Sequence, residues 1–295
     1  MNAIDYSLGC RMPLGDWIQL NRVDVFTDAK LLPYVSPFPP RELMQNVSGL
    51  VSQSDFASHG CDFFIALSEA SPKPLADYRS ILDFGCGVGR LARMFKGHPG
   101  VIAGCDIDHR HVEWVDATLD FVDARLSKVD PPIPYESGEF EAVISISIFT
   151  HLNERSQDQF LAELARVTAP DGLLFLTVHG ERALQRANNE PTIRAMIDVP
   201  DRPFAKAKSD FAAGRHAFIL QDGHLTTTLA SSGRGSQKKL VEGDFEYGIT
   251  FVPQQYVRSH WGRWFDVVDY RAGAFHDFQD LVVLRPRPIG QETRS

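Results

Sequence analysis

The run Ile81-Leu-Asp-Phe-Gly-Cys-Gly-Val-Gly-Arg90 sets one carboxylate, Asp83, ahead of glycines at 85, 87 and 89. Glycine admits positive φ and lets the backbone approach a ligand closely. A helix predicted over Arg90–Lys96 would present unpaired N–H groups and a positive dipole end to that ligand. A dinucleotide-binding turn would read G-x-G-x-x-G, whereas here the third glycine comes one residue early. Asp83 also puts a negative charge where a pyrophosphate would be repelled. The turn therefore suits a ligand with an ammonium beside its carboxylate, the end of an amino acid. Cys86 lies between two of these glycines and reads as a backbone contact whose thiol is idle. Asp106 stands nineteen residues beyond Gly87. At the end of the next strand, its carboxylate can accept from both hydroxyls of a ribose bound over the turn. A helix cap is the structural alternative for that aspartate.

The elements that must hold these residues alternate. Strands are predicted at Ser80–Phe84, Val101–Cys105, Ala124–Lys128, Glu141–Ile148 and Gly172–Val178. A helix near His109–Leu119 follows the second strand. Another carries Phe160, Leu161, Leu164 and Val167 on one face before a Pro170-Asp-Gly turn. Apolar strands alternating with helices indicate a parallel sheet covered on both faces. Ahead of this core, residues 1–75 read as a helical and irregular extension, with a proline connector at 33, 37, 39 and 40 and a helix capped by Ser54. After the core at 76–180, residues 181–245 are rich in Gly, Ser and Thr and read as an insertion, an acceptor lid above the sheet. Residues 246–295 return to regular structure, with a helix near Pro253–Trp261 and strands near Phe265–Arg271 and Asp280–Arg285. The last two are too close for a helix between them, so one runs antiparallel at a sheet edge.

Asp83-x-Gly-x-Gly-x-Gly followed by Gly104-Cys-Asp-Ile-Asp108 resembles the first two motifs of class I S-adenosylmethionine-dependent methyltransferases. Pro131–Val143, Ile146-Ser-Ile-Phe-Thr-His-Leu152 and Glu163–Gly172 resemble the stretches around their fourth strand and before their fifth. The resemblance implies an α/β, Rossmann-like fold: a seven-stranded, mostly parallel sheet with an antiparallel edge strand, helices on both faces and an N-terminal helical extension. It implies S-adenosylmethionine as cofactor. Asp83 and the Gly85–Gly89 backbone, Cys86 included, would hold its methionine end. Asp106 would bind the ribose, and Ile107 would pack on the adenine. Ser127 falls where the family often places Asp or Asn near the adenine, a departure from its pattern. Ser145 and Ser147 would lie near the sulfonium. A hydroxyl or ammonium acceptor gains from a base, and His151 and His179, each following a strand, are the candidates. For either, a loop histidine satisfied by backbone is the plain alternative.

Composition narrows the acceptor. Lys+Arg number 30 against 38 Asp+Glu, a net charge of −8, which repels phosphate backbones and anionic lipid. Nucleic-acid and membrane partners are therefore not expected, and Arg234, Lys238 and Lys239 read as a solvated cluster. Four scattered cysteines without a C-x-x-C pair point to neither metal nor disulfide framework and fit a reducing, cytoplasmic setting. His276, Asp277, Gln279 and Asp280 either face an acceptor or mark a polar entry to the edge strand. Tyr247, Trp261 and Trp264 either line a pocket near the insertion or, as is usual for aromatics at such spacing, belong to the core. The expected function is methyl transfer to a small-molecule, glycan or peptide-precursor acceptor, oxygen ahead of nitrogen. A catalytically silent cofactor-binding subunit is the alternative. An NAD-dependent oxidoreductase or epimerase stands behind both, because neither its glycine turn nor its Tyr-x-x-x-Lys pair is present where required. The oligomeric state is not legible.

Overall fold

The computed structural model describes residues 4–222 and 246–287, which divide into two compact units, 4–128 and 129–222 with 246–287. The first unit opens with α1 (Leu14–Gln19), α2 (Val25–Thr27), α3 (Arg41–Ser48) and α4 (Gln53–Ala70). Helix α3 starts directly after Pro40 and stops at Gly49, whose φ of 72° only glycine adopts cheaply. Helix α4 is capped by Ser52 rather than Ser54. Ser52 has the extended backbone of a cap and its Oγ accepts from Asp55 N at 3.0 Å, while Ser54 already lies within the first turn. Strand β1 (Ser80–Phe84), β2 (Val101–Asp106), α5 (His109–Thr118) and β3 (Val122–Leu126) follow. Strands β1 and β2 pair in parallel, Asp83 opposite Gly104, and β2 and β3 likewise, Asp106 opposite Leu126.

The helix expected over Arg90–Lys96 is a correction. Gly85, Gly87 and Gly89 all take positive φ, at 75°, 52° and 77°, and Gly97 does so at 82°. Left-handed residues at both ends leave room only for a 3₁₀ turn, Ala92–Phe95. The dipole argument for this turn therefore falls away, and its backbone geometry carries the case instead.

The second unit contains β4 (Phe140–Ser145), α6 (Glu154–Val167), β5 (Thr168–Val178), α7 (Glu181–Asn189), α8 (Pro191–Ile197), α9 (Asp201–Ala212), β6 (Ala217–Asp222), β7 (Tyr247–Phe251), α10 (Gln254–His260), β8 (Phe265–Phe275) and β9 (Gln279–Pro286). Helix α6 is capped by Asn153 accepting from Ser156 N at 2.8 Å, and buries Phe160, Leu161, Leu164 and Val167. Strand β4 ends three residues before Ile148, because Ser147 turns to φ 61° and gives its N–H to Thr177 Oγ1 at 2.7 Å. The Pro170-Asp-Gly turn sits inside β5 as a bulge: Phe140 pairs with Thr168, and the next pair is Ala142 with Leu173.

Residues 181–222 are more regular than their sequence suggested, forming three helices and β6. Ala183, Leu184, Phe204 and Phe211 share a core with Ile219 and Phe251 of the antiparallel pair β6–β7. Arg234, Lys238 and Lys239 lie outside the described residues.

The main sheet has seven strands in the order β3-β2-β1-β4-β5-β9-β8. Strands β4 and β5 are parallel, and β9 is antiparallel to both β5 and β8. This is the expected mostly parallel sheet, with its reversal slipped in beside the edge strand. Trp261 is fully buried against Phe149, ring centroids 5.6 Å apart, as a core aromatic.

Candidate functional site

In the first unit, β1 delivers Asp83 into the glycine turn, where the residue is 3% exposed. Burial pushes its carboxyl up to about 7; Arg90 pulls against that shift and Asp106 adds to it. Arg90 is itself displaced down to about 10, mainly by burial, and its guanidinium lies over the Phe63 ring at 4.6 Å. Both members of the pair are thus pushed toward their neutral forms, so desolvation outweighs their attraction. Asp83 Oδ2 is buried and has no hydrogen-bond partner. An unpaired carboxylate oxygen of this kind is costly and calls for a cation.

The turn itself is locked onto β2. Gly85 N and Cys86 N both donate to Cys105 O, at 2.8 and 3.0 Å, and Gly87 N donates to Asp106 Oδ2 at 2.9 Å. A Cβ on Gly87 would lie 2.8 Å from Val47 Cγ1, and one on Gly89 would lie 2.7 Å from Leu119 Cδ1. The Cys86 thiol is buried and fills the space beside Gly104, where a Cβ would meet Sγ at 3.1 Å. Burial raises its pKa well above the ordinary thiol value, so it is a packing group.

Asp106 does more than its spacing foretold. Its Oδ1 accepts from Asp108 N at 2.9 Å and lies 3.1 Å from His111 Nδ1, while Oδ2 holds Gly87. Asp108 caps α5 through Arg110 N at 3.1 Å, so the capping role belongs to Asp108. His111, 0% exposed, was missed in the sequence. Its Nε2 partner is Asn46 Oδ1 at 2.8 Å, sixty-five residues away, and only the Asp106-x-Asp-x-x-His111 spacing hinted at it. Ile107 is half-buried after β2. Ser127, after β3, is buried and ties back through its N–H to Asp106 O at 2.9 Å.

In the second unit, Ser145 ends β4 fully buried, its Oγ without a hydrogen-bond partner. Ser147 Oγ instead pairs with the Gln279 side chain, Nε2 donating at 2.9 Å. His151 stacks on Tyr247 with ring centroids 4.6 Å apart, its Nδ1 donating to Gly248 O at 2.8 Å and its Nε2 3.4 Å from the Tyr247 hydroxyl. Tyr247 thus belongs to this cluster. The His179 ring centroid is 6.3 Å from that of His151, and its Nδ1 reaches Thr250 O at 3.2 Å. Burial, with His151 adding to it, lowers the His179 pKa to about 3, so the ring is neutral and keeps its second nitrogen as a lone pair.

Of the other polar residues before β9, His276 and Asp277 form the left-handed β8–β9 turn, with Asp277 paired to Arg182. Asp280 accepts from Tyr270 Oη at 2.6 Å and Gly273 N at 2.8 Å. Among the described residues, no group of His, Cys, Asp and Glu has metal-site geometry, and no helix is long and apolar enough to cross a membrane.

A family model described as a methyltransferase domain matches residues 82–176, which span the glycine turn through β5. That segment is a methyltransferase domain of the class I S-adenosylmethionine-dependent type. The chain is 26% identical over 155 residues to a probable S-adenosylmethionine-dependent methyltransferase of Mycolicibacterium smegmatis, covering 52% of this chain and 51% of that one. It is 22% identical over 147 residues to the cyclopropane-fatty-acyl-phospholipid synthase of Escherichia coli K12, covering 49% of this chain and 37% of the synthase. It therefore spans about half or less of the length of these two curated relatives. A solved protein of Pyrococcus horikoshii OT3 shares the fold with a TM-score of 0.53 at 16% identity, covering 82% of this chain and 94% of that one.

S-adenosylmethionine is the cofactor of this domain type, and the first unit fits it. The unpaired Asp83 oxygen matches an ammonium, and the left-handed glycine turn follows it directly.

Proposed function

We propose that this methyltransferase acts on a small-molecule, glycan or peptide-precursor acceptor, with oxygen ahead of nitrogen as the atom methylated. The observation that carries the cofactor half of this reading is the buried, partnerless Asp83 Oδ2 beside three left-handed glycines. When bound, S-adenosylmethionine supplies a methyl group already activated on a sulfonium.

The chain's own residues bind, orient and move a proton. Asp83 pairs with the ammonium, which gives its carboxylate the charge partner that burial denies it. The Gly85–Gly89 backbone, with Cys86 packed behind it, shapes the methionine subsite. Asp106, held in place by Gly87 N, Asp108 N and His111, offers its carboxylate to the ribose. Ile107 and Ser127 stand beside the adenine.

His151 is the base. Its Nδ1–H is fixed on the Gly248 carbonyl, so Nε2, 3.4 Å from the Tyr247 hydroxyl, is the nitrogen that takes the acceptor's proton. His179 suits a different part, because a ring whose pKa lies at about 3 holds a proton poorly at neutral pH. It accepts a hydrogen bond and keeps the acceptor hydroxyl oriented. Helices α7–α9 form the specificity wall, as segments added to an α/β sheet commonly do.

The test is calorimetric titration of the full chain with S-adenosylmethionine and, as control, NAD, followed by methyl-label transfer to hydroxyl and amino acceptors. S-adenosylmethionine should bind and NAD should not. On the true acceptor, His151→Ala should lower kcat by about 10²–10⁴ with cofactor affinity unchanged. Binding of NAD alone would sink the reading, and full turnover without His151 would remove its role.

A further inference from the structure

Three independent contacts of helix α3 converge on one turn. Val47 occupies the space a Gly87 Cβ would need, its Cγ1 2.8 Å from that position. Met44, 2% exposed, shares a buried apolar cluster with Val88, the residue between the second and third glycines. Asn46 begins a polar relay: its Oδ1 lies 2.8 Å from His111 Nε2, His111 Nδ1 lies 3.1 Å from Asp106 Oδ1, and Asp106 Oδ2 accepts from Gly87 N at 2.9 Å. Asn46, His111 and Asp106 are 5%, 0% and 8% exposed, so water cannot replace a lost link. Asp108 stands nearby, its Oδ2 3.8 Å from His111 Nε2, and already serves Arg110.

We propose that α3 is a working part of the cofactor site and that His111 is a positioning residue, holding the Asp106 carboxylate in the rotamer that fixes Gly87. The Gly87 peptide sits at φ 52°, and its N–H is held by the Asp106 side chain. Without His111, Asp106 Oδ1 loses one tether while keeping Asp108 N, the carboxylate turns more freely, and Gly87 loses its fixed acceptor. Docking of α3 and the shape of the turn are then one cooperative event, and a ligand filling the turn tightens α3 from the other side. This rests on the cofactor reading above only where ligand affinity is the readout.

The experiment uses the full chain with Asn46→Leu, His111→Phe, the double variant, and His111→Gln, which keeps one of the two bonds. S-adenosylmethionine and S-adenosylhomocysteine are titrated by calorimetry below every unfolding midpoint, and amide exchange at Gly87 is followed without ligand by NMR. Each single variant should weaken both ligands about tenfold, the scale of one buried hydrogen bond to a charged group. The double variant should be no worse than His111→Phe alone, His111→Gln should be intermediate, and Gly87 should exchange faster in all. A structural role alone would lower the midpoint and leave affinity and Gly87 exchange untouched; that result, or additive losses in the double variant, overturns the relay. If the wild-type chain binds neither ligand, the cofactor reading fails, and Gly87 exchange still decides the relay: faster supports it, unchanged refutes it.

Discussion

Asp83→Asn isolates the buried charge on which the cofactor reading turns. In the folded protein the carboxyl titrates at about 7, above its ordinary 3.8, with burial as the largest cause. A carboxyl raised in this way gives stability that is complete below pH 4 and is lost as pH rises through 7, because the folded state holds the proton longer than the unfolded chain. Over that window the ligand-free protein should lose roughly 4 kcal/mol through this one group. An asparagine cannot ionise, so Asp83→Asn should flatten the decline and leave the ligand-free protein more stable than wild type at pH 8. Arg90 opposes part of the gain, since it loses its charge partner. The same substitution should weaken S-adenosylmethionine by about 1.5–3 kcal/mol, the scale for a hydrogen bond to a charged group. Urea unfolding at pH 5 and pH 8 reads the first effect, and calorimetry at pH 8 the second. Affinity unchanged by the substitution, or a variant less stable than wild type at pH 8, would refute the reasoning.

Gly87→Val should abolish cofactor binding, since the new side chain meets Val47 and must adopt φ 52°; calorimetry reads the loss, and circular dichroism checks that the chain remains folded. Asp106→Ala frees Gly87 N and Asp108 N together and should weaken cofactor binding by about 1.5–3 kcal/mol, measured by calorimetry. His179 behaves opposite to Asp83: its lowered pKa means stability is present above 6.5 and lost as pH falls toward 3. His179→Gln should therefore shrink the stability difference between pH 7 and pH 4.5 in urea unfolding.

What the sequence disclosed was local. The carboxylate and alternating glycines announce themselves because backbone conformation is written in residue type, and the strands because their apolar runs are continuous. The 3₁₀ turn at Ala92–Phe95 was hidden, since its apolar residues fit a helical face and only the positive φ at both ends forbids one. Ser52 and Ser54 are equivalent caps by type, and backbone dihedrals alone separate them. Helices α7–α9 escaped because the glycine-, serine- and threonine-rich residues beyond them coloured the reading of the whole stretch. His111 escaped for another reason: it takes its place from Asn46, a partner sixty-five residues away.

The position of β9 bears on how the chain is made. Strand β5 ends at Val178, yet its partner on one side, β9, is not complete until Pro286. A ribosome adding 5–20 residues each second needs roughly 5–20 s to span that interval. Throughout it, the apolar edge Leu174–Val178 has no β9 to pair with, and such an edge is a template for other strands. The newborn protein is therefore most exposed to aggregation late in synthesis, and a stop before residue 279 leaves both β5 and β8 without the strand that joins them.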